Sequence, residues 1–71
     1  MPTYAYGPIQ DGAITIIEQE ISYSMTAAEL LEQIADLVAS HNEYSDEALY
    51  QECLGMLEGA LTQLRLQESA S

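Results

Sequence analysis

The chain has 71 residues, of which twelve are acidic and one is basic, for a formal net charge of -11. With so little positive charge, the chain cannot neutralise phosphate. The charge balance therefore excludes binding to nucleic acid or anionic lipid by the usual electrostatic route, and it favours a basic protein partner. Hydrophobic residues make up 48% of the chain, which is typical of a globular fold and predicts one small domain over residues 1–71.

Residues 3–23 predict a β-hairpin. Asp11-Gly12 separates two runs that favour β structure, residues 3–9 and residues 13–23. Asp-Gly between such runs is a strong hairpin signal. Read as one strand, the second run alternates imperfectly between Ala13, Thr15, Ile17, Gln19, Ile21 and Tyr23 on one face and Ile14, Ile16, Glu18, Glu20 and Ser22 on the other.

Gly7-Pro8 interrupts the first predicted strand and indicates an edge strand or a bulged strand. A two-stranded sheet is marginal in water, and its open edge is a pairing template. We therefore predict a homodimer that joins two hairpins into a four-stranded sheet. Tyr4 and Tyr6 share one face near the start of the chain, where they could line an interface or cover the helices.

Residues 26–40 predict an amphipathic helix. Thr26 and Glu29 form the capping-box pattern T-x-x-E. His41 is expected to support the last carbonyls of this helix. One continuous arc of the helix is apolar and predicts its buried face: Ala27, Leu30, Leu31, Ile34, Ala35, Leu37 and Val38.

Residues 45–67 predict a second helix, with Ser45 as its N-cap and residues 68–71 as a frayed tail. The short connection implies that the two helices are antiparallel neighbours. The fold class is therefore α+β, a β-hairpin followed by a helical hairpin. The predicted buried face of the second helix is Leu49, Tyr50, Cys53, Leu54, Met56, Leu57, Ala60, Leu61 and Leu64.

Gly55 and Gly59 lie four residues apart on one face of the second helix. Each glycine inside a helix costs about 1 kcal/mol relative to alanine, so the pair indicates close approach of another element. That element could belong to the same chain or to a second one. Together with Tyr4 and Tyr6, these glycines are our candidates for a dimer contact or for close packing.

The acidic residues give the strongest functional signal. Glu29, Glu32 and Asp36 lie in one row on the first helix, and no lysine or arginine relieves their repulsion. Spaced carboxylates could imitate a row of phosphates, or they could simply form a solvated face. The predicted partner-binding face comprises Glu29, Glu32, Asp36, Glu43, Asp46, Glu47, Glu52 and Glu58.

The sequence predicts no enzyme, no metal site and no cofactor. His41 is the only histidine, and there is no Gly-rich phosphate loop. The spacing of His41 from Glu43, Asp46 and Glu47 matches no metal-binding motif. The single cysteine, Cys53, lies on an apolar helix face, which favours core packing and a reducing, cytoplasmic setting.

Small size and acidity predict a binding protein that inhibits a nucleic-acid-handling protein by covering its basic surface. Phage-encoded anti-CRISPR and anti-restriction inhibitors are the analogous class, by size and charge, and would act in the cytoplasm of the host cell. The alternatives are an adaptor subunit of a larger assembly, docking through Gly55, Gly59 and the two N-terminal tyrosines, and an antitoxin-like partner of a basic protein.

Overall fold

The computed structural model describes residues 4–70, in which an antiparallel three-stranded sheet is followed by two helices. The α+β class is therefore confirmed. The elements are β1 (Tyr4–Gln10), β2 (Ala13–Glu18), β3 (Ile21–Thr26), α1 (Ala27–Ala39) and α2 (Glu47–Ala70), with a single 3-10 turn at His41–Glu43 between the helices. The sheet order is β1-β2-β3, so β2 is central. The predicted strand start at residue 3 lies outside the described residues.

The prediction of two strands was wrong, because residues 13–23 form parts of two strands joined by a turn. Gln19 and Glu20 make this turn, and Gln19 adopts a positive φ of 54°. Positive φ is ordinarily signalled by Gly, Asn or Asp, and glutamine gives no such signal. The first turn carries the expected residues, with positive φ at both Asp11 and Gly12.

The unrecognised turn also changes which residues face the helices. Ile16 pairs with Tyr23, and Ile17 pairs with Ser22, so the face toward the helices passes from even positions in β2 to odd positions in β3. Ile17 and Tyr23, which the single-strand reading placed together, therefore lie on opposite faces. The same switch explains why Ser22, an even position after the turn, is polar, whereas Glu18 precedes the turn and stays on the inner face of β2.

The irregularity predicted for the first strand is present in β1. Its register with β2 shifts between Tyr6 and Ile9, so that Gly7 and Pro8 occupy a bulge. Proline lacks the N–H that a regular ladder requires, and a bulge on an edge strand accommodates it.

The helices begin close to the predicted positions. Thr26 caps α1, and its side chain and that of Glu29 satisfy each other's backbone N–H groups in a capping box. In α2 the cap is Asp46 and not Ser45: an Asp46 carboxylate oxygen accepts from the Leu49 N–H at 3.2 Å. The helix continues to Ala70, so residues 68–70 are helical rather than a tail, and residue 71 lies outside the described part.

The core lies between the helices and the inner face of the sheet. Ile14, Ile16 and Leu30 are fully buried at its centre. On α1, however, the buried stripe is narrower than predicted, because Leu31 and Val38 are 49% and 53% exposed. The other buried residues are Leu37, Tyr50, Met56, Leu57, Ala60, Leu61 and Leu64.

Candidate partner-binding site

The acidic residues of the chain are almost entirely on its surface. Of the twelve, all except Glu18 are exposed, and Glu18 is half-buried. They occur on the helices, in the turns and at the end of β2. The surface is therefore negative on several sides, and the predicted face is part of a wider field.

A groove of about 590 Å³ opens between β3, α1 and α2. Apolar side chains contributed by all three elements line its interior, among them Met25, Leu37 and Leu57. Two acidic side chains of α1, Glu29 and Asp36, also line it. The groove thus combines an apolar interior with negative charge, which suits a cationic group carried on an apolar stem.

Only two of the three acidic residues predicted to form a row on α1 belong to this groove. Glu29 and Asp36 are seven residues apart, about two helical turns, and both line the groove. Glu29 has a second role, because its carboxylate accepts from the Thr26 N–H at 3.0 Å and so fixes the start of the helix. Glu32 is exposed and is not part of the groove lining.

Tyr23 and Cys53 lie on the inner side of the same groove. The Tyr23 hydroxyl donates a hydrogen bond to the Glu18 carboxylate. Burial, followed by the hydrogen bond and charge of Glu18, raises the pKa of Tyr23 to about 12. Burial, followed by the charges of Glu18 and Glu52, also raises the pKa of the Cys53 thiol, which keeps it protonated and a poor nucleophile at neutral pH.

The interhelical turn carries a hydrogen-bonded contact between a histidine and a glutamate. His41 Nε2 lies 2.8 Å from Glu47 Oε2, and the His41 ring stacks on Tyr50 with ring centroids 3.9 Å apart. The hydrogen bond from His41 lowers the pKa of Glu47. We predicted that His41 supports the last carbonyls of α1. Instead, His41 begins the 3-10 turn, and its ring contacts Glu47 and Tyr50 of α2.

The remaining members of the predicted acidic face are dispersed. Glu52 lines a second, smaller cleft together with Tyr4 and Glu18. Glu43 and Asp46 lie in the exposed interhelical connection, and Glu58 is exposed on α2. Within residues 4–70, no three His, Cys, Asp or Glu side chains are placed to hold one metal ion.

The two helix glycines have different surroundings. A Cβ at Gly59 would overlap the Tyr6 hydroxyl, which donates to the Met56 carbonyl oxygen at 2.7 Å. A Cβ at Gly55 would meet no atom within 4 Å. The close approach at Gly59 is therefore made within the chain, by β1. Tyr4 packs beside Tyr6 with ring centroids 5.6 Å apart.

The groove and the edge of β3 were missed by sequence reasoning. Reading residues 13–23 as one strand left no strand beside α1 to form a groove. One signal was present: the polar run Glu18-Gln19-Glu20 between Ile17 and Ile21 breaks the alternation where the turn occurs.

Neither a scan against protein-family models nor searches of curated proteins and of solved structures returned a match. Among the described residues, no helix is both long enough and apolar enough to cross a lipid bilayer. The chain's own charge and geometry are therefore the basis for inferring its function.

Proposed function

We propose that this chain is an acidic binding protein that covers the basic surface of a nucleic-acid-handling protein. The density of exposed charge carries the proposal. A net charge of -11 over the longest dimension of 40 Å is about one charge per 3.6 Å. Duplex DNA presents about one charge per 1.7 Å of helix axis, so the chain has about half the linear charge density of the duplex and a density similar to that of one strand.

The mechanism is competition. Lysine and arginine side chains that normally hold phosphate pair instead with the carboxylates of this chain, through charge-assisted hydrogen bonds. Long-range attraction steers the association, so affinity falls steeply as salt screens the charges. The concrete form of the proposal is a phage-encoded anti-CRISPR or anti-restriction inhibitor acting in the host cytoplasm.

The test uses two variants with matched loss of charge. In one, Glu29, Glu32 and Asp36 are replaced by their amides. Glutamine at position 29 still serves a capping box, so α1 keeps its start. In the control, Asp11, Glu20 and Glu68 are replaced in the same way, which removes the same charge away from the groove-lining residues of α1.

Each immobilised protein is exposed to host-lysate proteins that bind heparin, at low salt and at about 0.5 M salt, where the screening length is a few ångströms. We expect the wild type and the control to retain a nucleic-acid-binding protein that added DNA displaces. The α1 variant should lose it. Retention of that protein by the α1 variant, or in high salt with DNA present, would contradict the proposal.

An adaptor subunit is the second candidate, favoured by the exposed apolar side chains of Leu31 and Val38 on α1. Docking through apolar surface should survive high salt. Gly59 and Tyr6 are already packed together, so Gly55 is the remaining small-residue position open to a partner. Gly55→Leu should abolish adaptor binding and leave binding through the carboxylates unchanged.

The predicted homodimer stays a prediction. It was inferred from a two-stranded sheet, and the chain supplies a third strand itself. Two copies also bring together two net charges of -11, which opposes association. Light scattering at micromolar protein tests it, since a dimer has twice the mass of the chain.

A further inference from the structure

The outer edge of β3 is a regular, unpaired strand edge. All six residues of β3 pair with β2 without a bulge, and within residues 4–70 no strand pairs with its other side. The Thr26 N–H donates to Glu29, so it points away from β2. Because inward and outward groups alternate along an antiparallel strand, Ser22 and Ser24 also direct their N–H and C=O groups outward.

The groove lies directly beside this edge. Ser24 is one of its lining residues, together with Tyr23 and Met25 on the inner face of β3. An added strand would bond to the outward groups of Ser22 and Ser24. Every second side chain of that strand would then point toward the helices and enter the groove.

Charge selects the occupant of this groove. Lysine or arginine side chains would lay their alkyl stems along the apolar interior, near Leu37, and bring their charged ends to Glu29 and Asp36. A second copy of this chain is disfavoured, because β3 carries no basic residue and the copy would add its own acidic groove. We propose that β3 and its groove bind an extended cationic segment of the partner as a fourth strand of the sheet.

This inference rests on the proposed function, which supplies a partner with positive charge. It adds where the partner's segment binds, at the edge of β3, and in which conformation, as an extended strand. The probe is a short fluorescent peptide that alternates lysine and valine. A peptide that alternates glutamate and valine is the charge control. Binding is measured by fluorescence anisotropy at low salt and at about 0.5 M salt.

The deciding variant is Ser24→Pro. Proline removes the outward N–H of Ser24 and leaves the bonds between β2 and β3, and proline is tolerated on an edge strand. We expect affinity for the lysine peptide to fall roughly tenfold, the equivalent of one or two hydrogen bonds. Asp36→Asn should lower affinity several-fold, whereas Asp11→Asn, at the first turn, should not change it.

Amide exchange on the wild type gives a readout that does not require the variant to fold. The lysine peptide should slow exchange at Ser22 and Ser24. Equal binding of both peptides, binding unaffected by a folded Ser24→Pro, or unchanged exchange at both serines would overturn the inference. If the wild type is a dimer that Ser24→Pro dissociates, and the wild type binds neither peptide, then a second copy of the chain occupies the edge of β3 and the inference is wrong.

The inference and the proposed function fail in different ways. If Ser24→Pro retains the lysate partner while the α1 amide variant loses it, the proposed function stands and the strand-docking inference is wrong. If the lysine peptide binds as described but no nucleic-acid-handling protein is captured, strand docking stands and the proposed function is wrong.

Discussion

The two edges of the sheet are built differently. At the β1 edge, a bulge at Gly7 and Pro8 breaks the regular pattern, and the Tyr6 hydroxyl is bonded to the backbone of α2. The β3 edge has no proline and no bulge, and it borders a groove. One edge is thus protected against further pairing, and the other is open to it.

This difference separates the part of the chain that holds the fold together from the part available to a partner. β1 is fixed to α2 by close packing of Tyr6 on Gly59, where an added Cβ would force the Tyr6 side chain to shift. β3 is joined to β2 by a turn in which Gln19 has an unfavourable backbone conformation. A regular edge that is left open carries a risk of aggregation, so its presence favours a binding role.

Alkaline pH should have the largest effect on the stability of the fold, because it ionises one tyrosine in each edge strand, Tyr6 in β1 and Tyr23 in β3. Burial raises the pKa of Tyr6 and of Tyr23 from 10.0 to about 12. A raised pKa in the folded state means that the neutral tyrosine stabilises the fold. That contribution is complete below pH 10 and is lost as the pH rises through 12.

Tyrosinate absorbance and circular dichroism, followed together, test this prediction. The ionisation of Tyr6 and Tyr23 should coincide with unfolding between pH 10 and 12. Tyr6→Phe removes one of the two groups and should make the loss of stability with pH shallower. Ionisation of both tyrosines near pH 10 in a chain that stays folded would contradict the prediction.

Gly59→Ala should have the next largest effect, a loss of about 2 kcal/mol in the free energy of unfolding. The new methyl group displaces the Tyr6 ring, which costs about 1–3 kcal/mol in overpacking and about 1 kcal/mol for the bond to Met56. Alanine has a higher helix propensity than glycine, which offsets about 1 kcal/mol of this loss. Urea denaturation followed by circular dichroism measures the change.

Gly55→Ala is the matched control, four residues away in the same helix. The new methyl group meets nothing within 4 Å, so helix propensity alone acts and stability should rise by about 1 kcal/mol. In a Tyr6→Phe background, Gly59→Ala should cost less than in the wild type. Equal effects of alanine at both glycines would show that β1 is not fixed through Gly59.

The β1 region was largely predictable from sequence, because its signals are local. Asp11-Gly12 determines the first turn, and Gly7-Pro8 indicates the bulge. The helices were also predictable, since capping residues and apolar arcs act within a few residues. What could not be predicted is that Gly59 faces Tyr6, a contact between residues distant in sequence.

The β3 region was missed because its turn lacks the usual residues. The polar run Glu18-Gln19-Glu20 is a weak signal that contains no Gly, Asn or Asp. Tertiary packing of Ile14, Ile16, Tyr23 and Met25 against the helices therefore determines the reversal. The groove depends on that third strand, so the sequence showed the carboxylates of Glu29 and Asp36 without the cavity that they line. A site formed by three elements requires the tertiary arrangement of all three.

Gln19→Gly should have the smallest effect, a gain of about 0.5–1 kcal/mol in the free energy of unfolding. Glycine adopts positive φ without a steric penalty, so the strain of Gln19, at a φ of 54°, is removed. Glu20→Gly is the control. Residue 20 does not have positive φ, so there glycine only adds freedom to the unfolded chain and should destabilise the fold slightly. Chemical denaturation of both variants measures the difference. If Gln19→Gly does not stabilise the fold, the backbone conformation of Gln19 does not destabilise the turn between β2 and β3. The β1 and β3 edges then differ only in their hydrogen bonding.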